Sequence, residues 1–420
     1  FFIYITLKQY INIKKHIISF ATPLFIGNIL QLANTIIDRM WAGKFINAEA
    51  LAAISICGSI FFIMLSISIG LASSASIMIS QFFGAKQLNK LKYVVGNSFI
   101  LVLITSLIST LIIIFFHTEI LMLIKTPSDI IQYAEKYLFT LSIGFFFVLS
   151  FNMLNSFFRA LGNSIFPLKC LIISVVLNAI LDPFLMLGWG PFPRMELTGA
   201  ALATIIAQFF AFLSGFIYMQ YKEKTISVSW KHFKPVNEII KKMFKLAIPA
   251  SIRFSLLSVG LTVIQATINK FGSDAAAAYG AASNIDQIIL HPAMSISSAV
   301  STIAGQNLGA HKIDRAKETM KQGILICFLV ISPFIIFFFL FPKAALLIFL
   351  KESSYTALSL GCSYLRIIAF PYFFIMNVLV ILGLIEGAGD TFATMILSII
   401  NLWIVRVPIV VLFSLFCRKK

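Results

Sequence analysis

The chain has 420 residues, of which 59% are hydrophobic and 12% are charged, and its formal net charge is +17. A mean hydropathy of +0.96 excludes a soluble globular protein and predicts an all-α polytopic membrane protein. The apolar runs do not alternate with a period of two, which argues against a β-barrel.

Hydropathy predicts eleven spans. In chain order they cover 17–40, 50–80, 95–116, 131–155, 165–188, 197–221, 241–268, 277–305, 321–342, 357–382 and 392–417. The polar segment 222–245 is the widest gap. It divides the chain into an N-terminal six-helix lobe, 1–221, a cytoplasmic linker, 222–245, and a C-terminal lobe, 246–420, that contains five spans.

The basic residues follow the positive-inside rule rather than the pattern of a nucleic-acid-binding protein. They cluster in alternate loops, for example at 86–92, 222–245 and 312–321, and the intervening loops hold few. This distribution predicts a cytoplasmic N-terminus, a lipid bilayer as partner and no nucleic acid. We expect a monomer in a bacterial cytoplasmic (inner) membrane.

Three pairs of motifs recur in the same order across the polar gap. The second copies lie 225, 226 and 227 residues after the first: Gln81–Ala85 with Gln306–Ala310, Ala21–Pro23 with Ala247–Pro249, and Arg159–Ser164 with Glu386–Thr391. Six helices per repeat predict two parallel lobes with a cavity between them. The repeat also predicts a twelfth helix from about residue 423, which the 420-residue chain does not contain.

The first span carries a polar stripe on an apolar helix. Gln31, Asn34 and Asp38 follow at spacings of three and four and therefore share one face. Asp38 is either a helix-end residue that pairs with Arg39 or a member of a polar cavity. The two polar companions inside the span favour the cavity.

The fifth span contains a second aspartate. Asn178 and Asp182 are four residues apart and share a helix face, and Pro183 weakens the helix beside the carboxylate. An aspartate inside an apolar span costs roughly 2.5–3.5 kcal/mol on insertion scales. Asp182 is either at a water-exposed helix end before Gly188 or in a site for a cation or proton, and the rest of the chain favours the site.

Three further polar residues lie within predicted spans. Asn155 either lines a cavity or bonds a neighbouring helix, and Thr204 follows small residues that allow close helix contact. Asp286 is the clearest buried acid of the second half. No nucleotide-binding loop, catalytic triad or zinc motif is present, so we expect neither an enzyme nor a direct use of ATP.

A set of motifs follows in a fixed order along the chain: Trp41–Gly43, Gln81–Ala85, Arg159–Asn163, Leu181–Pro183, Gly199–Thr204, Gly305–Ala310 and Gly387–Thr391. This ordered set resembles the multidrug and toxic compound extrusion (MATE) family, most closely its DinF-like and archaeal branch. The resemblance covers nearly the whole chain. It implies the twelve-helix MATE fold and export of organic, often cationic, compounds in exchange for Na⁺ or H⁺, with no other cofactor.

The resemblance also implies a cation site in the N-terminal lobe. The motif positions of its ligands are matched here by Asp38, Asn178, Asp182 and Thr204. Gln31 and Asn155 match polar cavity positions, to which the stripe adds Asn34. The NorM-like branch carries acids in its seventh and tenth helices that this sequence lacks, and Asp286 is a candidate for a C-lobe acid in their place.

The chemistry of these residues agrees with that implied role. Carboxylate, amide and hydroxyl oxygens are hard ligands that suit Na⁺. Two neighbouring carboxylates repel each other, so either Na⁺ or H⁺ would neutralise the site, and a cationic drug would compete with that ion. This competition predicts an antiporter.

Three other interpretations remain open, and one of them is a non-transporting remnant, since the twelfth helix is not in the chain. A flippase for a lipid-linked saccharide would have an arginine-lined cavity, and Arg253 and Arg366 keep that alternative in view. A membrane-embedded enzyme would need a buried histidine with a partner, and His291 has no evident one.

Overall fold

The computed structural model describes residues 13–350, 352 and 354–417, and within them the secondary structure is helical. The predicted cytoplasmic N-terminus and the basic residues Arg418 to Lys420 lie outside the described residues. The helices are α1 (Ile13–Phe45), α2 (Ala48–Gly84), α3 (Leu88–Leu123), α4 (Ser128–Ile143), α5 (Phe145–Ala160), α6 (Ile165–Leu187), α7 (Glu196–Tyr221), α8 (Asn237–Asn269), α9 (Ser273–Gly309), α10 (Ile313–Leu340), α11 (Pro342–Leu346), α12 (Tyr355–Ala388), α13 (Thr391–Ile399) and α14 (Val407–Cys417). A 3₁₀ turn covers Trp230–Phe233, and a π-helical segment, Ile400–Arg406, joins α13 to α14.

The predicted number of membrane spans is confirmed for the described residues. Ten helical stretches are long and apolar enough to cross a membrane, and α4 with α5 forms an eleventh that bends by 53°. The last span runs through α13, the π-helical segment and α14. The all-α fold class therefore holds.

The internal repeat is visible in the backbone. Lys86 and His311 follow the paired Gln81 and Gln306 motifs, and both adopt a φ of 59°, which is uncommon for residues other than glycine. Gly162 and Gly389, in the next pair of motifs, have φ values of 87° and 90°. Equivalent helix ends thus share the same left-handed turn.

Helix packing divides the chain into two compact units. The N-terminal unit is Ile26–Ser251, and the C-terminal unit joins the residues up to Phe25 to those from Ile252 onward. Both boundaries fall two residues after a repeated proline, Pro23 in α1 and Pro249 in α8. Each of these two helices therefore contributes its first part to one unit and the remainder to the other.

These boundaries differ from the predicted ones at 221 and 246. The segment 222–236, interpreted from the sequence as part of a linker, contributes to the core of the N-terminal unit through Ile226 and Val228. Asn97 of α3 also holds it, since its Oδ1 accepts from the Val236 N–H at 2.9 Å and its Nδ2 donates to the Lys234 carbonyl at 3.3 Å. A polar stretch is thus built into a folded unit.

Each unit has its own apolar core. In the N-terminal unit, Phe145, Phe157 and Phe158 of α5 are fully buried among residues of α2 and α3. In the C-terminal unit, the core lies mainly among α9, α10 and α12. Because lipid tails are as apolar as these side chains, close packing rather than transfer from water stabilises such helix contacts.

Helices α6 and α7 approach each other closely at Gly199. A Cβ atom there would lie 2.5 Å from both the carbonyl carbon and the carbonyl oxygen of Leu185. The close contact expected from the small residues at 198–204 is therefore confirmed. It matters for function because α6 carries Asn178 and Asp182.

We predict that Gly199→Ala destabilises the protein by about 1–3 kcal/mol, because the backbone of α6 cannot yield as a side chain would. The free energy of unfolding in detergent measures this effect. Gly58→Ala is the matched control, since no atom lies within 4 Å of its added Cβ. It should be neutral or stabilising by about 0.5–1 kcal/mol. Equal values for the two variants would contradict the prediction.

Candidate cation site

The polar stripe of α1 lies within the helix rather than at its end. Asp38 is followed by almost two further turns, up to Phe45. The Asn34 Nδ2 donates to Asp38 Oδ2 at 3.4 Å, whereas Gln31 is exposed. Arg39 is exposed and forms no ion pair with Asp38 among the described residues. The interpretation of Asp38 as a paired helix-end residue is therefore not what the structure shows.

A second amide and carboxylate lie on α6. Asn178 Nδ2 donates to Asp182 Oδ1 at 3.2 Å, and the two residues are 2% and 0% exposed. The helix continues to Leu187, so Asp182 is not at a water-exposed end. Pro183 has no N–H to donate, which leaves the Ala179 carbonyl without its usual helical partner.

The fold brings the two helices together at their aspartates. The carboxyl groups of Asp38 and Asp182 lie within hydrogen-bonding reach of each other. On each helix, an asparagine four residues earlier donates its amide nitrogen to the carboxylate. The result is a symmetric arrangement of two carboxylates, each held by one amide.

This arrangement leaves buried oxygens without donors. Four atoms, Asn34 Oδ1, Asp38 Oδ1, Asn178 Oδ1 and Asp182 Oδ2, are buried and have no hydrogen-bond partner in the part of the chain that the structure describes. A buried acceptor without a partner costs about 1–3 kcal/mol, and more if charged. Carboxylate and amide oxygens are hard ligands, so the donor set fits Na⁺, and a shared proton would also relieve the repulsion.

Tyr137 of α4 lies near the acid pair, which the sequence did not indicate, but no hydrogen bond joins it to either aspartate among the described residues. Its phenol interacts electrostatically with both Asp38 and Asp182. Tyr133, one turn earlier, accepts a hydrogen bond at its hydroxyl from Asn47 Nδ2 at 3.0 Å. The available signal was the spacing of four residues between the two tyrosines, which places both side chains on one face of the helix.

Two predicted members are not joined to the acid pair by a hydrogen bond among the described residues. Thr204 of α7 is half-buried, and its hydroxyl donates to the Ala200 carbonyl at 3.0 Å. Asn155 is half-buried on α5. Their assignment to the cation site and to the cavity stays a prediction.

The C-terminal unit holds a different acidic cluster. Asp286 of α9 accepts hydrogen bonds from two tyrosines of α12: the Tyr364 hydroxyl donates to Oδ2 at 2.9 Å, and the Tyr372 hydroxyl donates to Oδ1. Arg406, in the π-helical segment, adds an electrostatic attraction. Both carboxylate oxygens are therefore already satisfied, unlike those of the acid pair in the N-terminal unit.

The two arginines that a cavity for an anionic headgroup would need, Arg253 and Arg366, have different surroundings. Arg253 forms an ion pair with Glu386 at 3.1 Å, and their side chains are 13% and 19% exposed. The positive charge of Arg253 is thus neutralised within the C-terminal unit. Arg366, on α12, is exposed.

Comparison with known proteins identifies the class. A family model described as MatE matches residues 23–184 and 249–412. The two matches begin at Pro23 and Pro249, the prolines that mark the internal repeat. The chain therefore belongs to the MatE family, and it is a membrane transporter rather than an enzyme.

Individual relatives cover almost the whole chain. It is 32% identical over 410 residues to the probable multidrug resistance protein YpnP of Bacillus subtilis (strain 168), which covers 97% of this chain and 90% of that protein. It is 30% identical over 407 residues to the probable multidrug resistance protein YoeA of the same organism, covering 96% and 87%. Its fold is similar, with a TM-score of 0.88, to a MOP superfamily transporter from Pyrococcus furiosus that is 20% identical, over 97% of this chain and 89% of that one.

We predict that Tyr372→Phe lowers the free energy of unfolding by about 1–3 kcal/mol, because it removes a hydrogen bond to a carboxylate. The phenyl ring keeps the packing of this buried side chain. Equilibrium unfolding in detergent measures the change. Tyr355→Phe is the control on the same helix, since Tyr355 is 77% exposed, and we expect no effect. A neutral Tyr372→Phe would show that the hydrogen bond contributes nothing to stability.

Proposed function

We propose that the chain is an antiporter that exports organic, often cationic, compounds in exchange for Na⁺ or H⁺. The observation that carries this proposal is the pairing of Asp38 with Asp182, around which four buried oxygens lack donors among the described residues. Membership of the MatE family and the names of the two Bacillus subtilis relatives support drug export. The protein would act as a monomer in a bacterial cytoplasmic membrane, with its N-terminus inside.

The driving force for ion binding is electrostatic. Two unit charges about 4 Å apart repel by about 4 kcal/mol at an effective dielectric constant of about 20. A bound Na⁺, or a proton shared by the two carboxyl groups, removes most of this repulsion. In the proposed site, Asn34 and Asn178 keep their amide nitrogens on the carboxylates and present their oxygens to the ion.

Exchange follows from competition for the same negative charge. A cationic substrate needs the carboxylates ionised, and the coupling ion neutralises them. Binding linkage makes this antagonism reciprocal, so entry of the ion weakens the hold on the drug and the drug weakens the hold on the ion. In this scheme Thr204 adds a hydroxyl ligand, and Gln31 and Asn155 line the substrate cavity.

We assign coupling to the N-terminal unit rather than to Asp286. Both oxygens of Asp286 already accept tyrosine hydroxyls, so they are less available to an ion. A flippase for a lipid-linked saccharide is less well supported, because Glu386 neutralises Arg253, one of the two arginines that would bind an anionic headgroup.

Transport of ethidium by the reconstituted protein tests the proposal. A Na⁺ gradient and a pH gradient are imposed separately on proteoliposomes, and the gradient that drives movement names the coupling ion. We expect Asp38→Asn and Asp182→Asn to reduce gradient-driven transport by roughly tenfold or more, since coupling energies typically correspond to about 5–150-fold effects.

Two matched variants provide the controls. Asp129→Asn removes an exposed carboxylate from the same unit, and Asp286→Asn removes the C-terminal acid. Both should keep gradient-driven transport once insertion is confirmed. Wild-type rates in Asp182→Asn would refute the proposed site, and loss of coupling only in Asp286→Asn would move it to the C-terminal unit.

A further inference from the structure

A basic pocket lies in the N-terminal unit, on residues separate from the acid pair. Its volume is about 350 Å³, and its lining includes Asn89, Lys92, Lys224, Thr225, Lys231 and His232. The lining comes from three segments: the first turns of α3, the connection after α7 and the 3₁₀ turn. These segments lie on the side that the charge distribution predicts to be cytoplasmic.

The pocket lining concentrates positive charge, although Glu223 precedes the lining residue Lys224 in the chain. Three lysines line it, and no aspartate or glutamate does. None of the three forms an ion pair within the described residues. The positive-inside rule explains why lysines lie on this side of the membrane, but not why three segments direct them to one concavity.

His232 adds a hydrogen-bond donor to this concavity. It is 4% exposed, and its Nδ1 accepts from the Ser229 N–H at 3.0 Å, which places the proton of the neutral ring on Nε2. Burial lowers the pKa of His232, and the charges of Lys231 and Lys92 lower it further, so the ring stays neutral. Its Nε2–H has no acceptor among the residues that the structure describes.

The start of α3 also favours an anion in the pocket. Leu88 and Asn89 are its first residues and line the pocket. The first turn contains no acidic residue, and Gln87 makes no capping hydrogen bond with its side chain. The N-terminal N–H groups and the dipole of a long helix favour a bound anion.

The wall opposite α3 is held in place. A Cβ atom on Gly96 would lie 2.1 Å from the His232 carbonyl oxygen, so the 3₁₀ turn packs directly on the backbone of α3. Asn97 fixes the following residues through Val236 and Lys234. The segment that carries Lys224 and Lys231 is therefore held in one place beside the start of α3, and both lysines line the same pocket as Lys92.

We propose that this pocket binds a phosphate group. Phosphate offers several oxygen acceptors to the lysine ammonium groups, the His232 Nε2–H and the helix N–H groups, and lysine binds phosphate as a point charge. The phosphate is carried either by an acidic phospholipid headgroup at the membrane surface or by a soluble anion. Basic pockets at this side of membrane helices bind lipid headgroups in other proteins.

Thermal unfolding of the full chain tests the proposal and separates the two sources. In detergent, inorganic phosphate is titrated at constant ionic strength against chloride. In nanodiscs, phosphatidylglycerol is compared with phosphatidylcholine alone. A ligand that binds only the folded state raises the Tm, and the rise grows with the logarithm of the ligand concentration once that concentration exceeds Kd. We compare the wild type with Lys92→Gln and Lys231→Gln, and with Lys90→Gln, which removes the same charge from an exposed position outside the pocket.

Each outcome decides the question. A rise in Tm with inorganic phosphate that both pocket variants lose and Lys90→Gln keeps supports a soluble ligand. The same pattern with phosphatidylglycerol alone supports a headgroup. No rise with either ligand, or an equal loss in Lys90→Gln, overturns the proposal. If Lys92→Gln or Lys231→Gln strongly lowers the Tm measured without ligand, that variant is destabilised by itself. Thr225→Val is then tested in its place.

Discussion

The close approach of two carboxylates, the half-buried Asp38 on α1 and the buried Asp182 on α6, is the interaction on which the candidate site depends. Such a pair is unfavourable by itself, because like charges repel strongly where water is excluded. It persists because each carboxylate accepts one amide hydrogen bond from its own helix and because close backbone packing at Gly199 holds α6 against α7. The remaining oxygens have no donor among the described residues, and this is the feature on which the proposed binding of a cation or a proton rests.

The two units share a repeat but differ in chemistry. Their equivalent helix ends have the same left-handed turns, and their boundaries follow equivalent prolines. In the N-terminal unit, two aspartates lie next to each other, and some of their oxygens have no hydrogen-bond donor among the described residues. In the C-terminal unit, Asp286 is satisfied by Tyr364 and Tyr372, and Arg253 by Glu386. A repeated architecture therefore supplies two similar frameworks, of which one keeps unsatisfied polar atoms suited to ion binding.

The segment 222–236, which follows α7, carries lysines that are held in a defined place by the fold. The positive-inside rule requires only that its lysines lie on the cytoplasmic side of the membrane, at any position. Packing on Gly96 and hydrogen bonding to Asn97 give the segment one conformation. Two of these lysines, Lys224 and Lys231, line a pocket at the start of α3 together with Lys92, and this is the pocket for which we propose phosphate binding.

The sequence by itself determined the all-α class, the eleven spans, the repeat and the polar stripes, because hydropathy and helical spacing are local properties of the chain. It also identified Asp38, Asn178 and Asp182 as residues whose burial needs an explanation. Only the tertiary structure decided that the two aspartates meet, that Tyr137 lies near them, that Glu386 pairs with Arg253 and that residues 222–236 belong to a folded unit. Each of these depends on the rotation and packing of helices far apart in the chain, which no local pattern encodes.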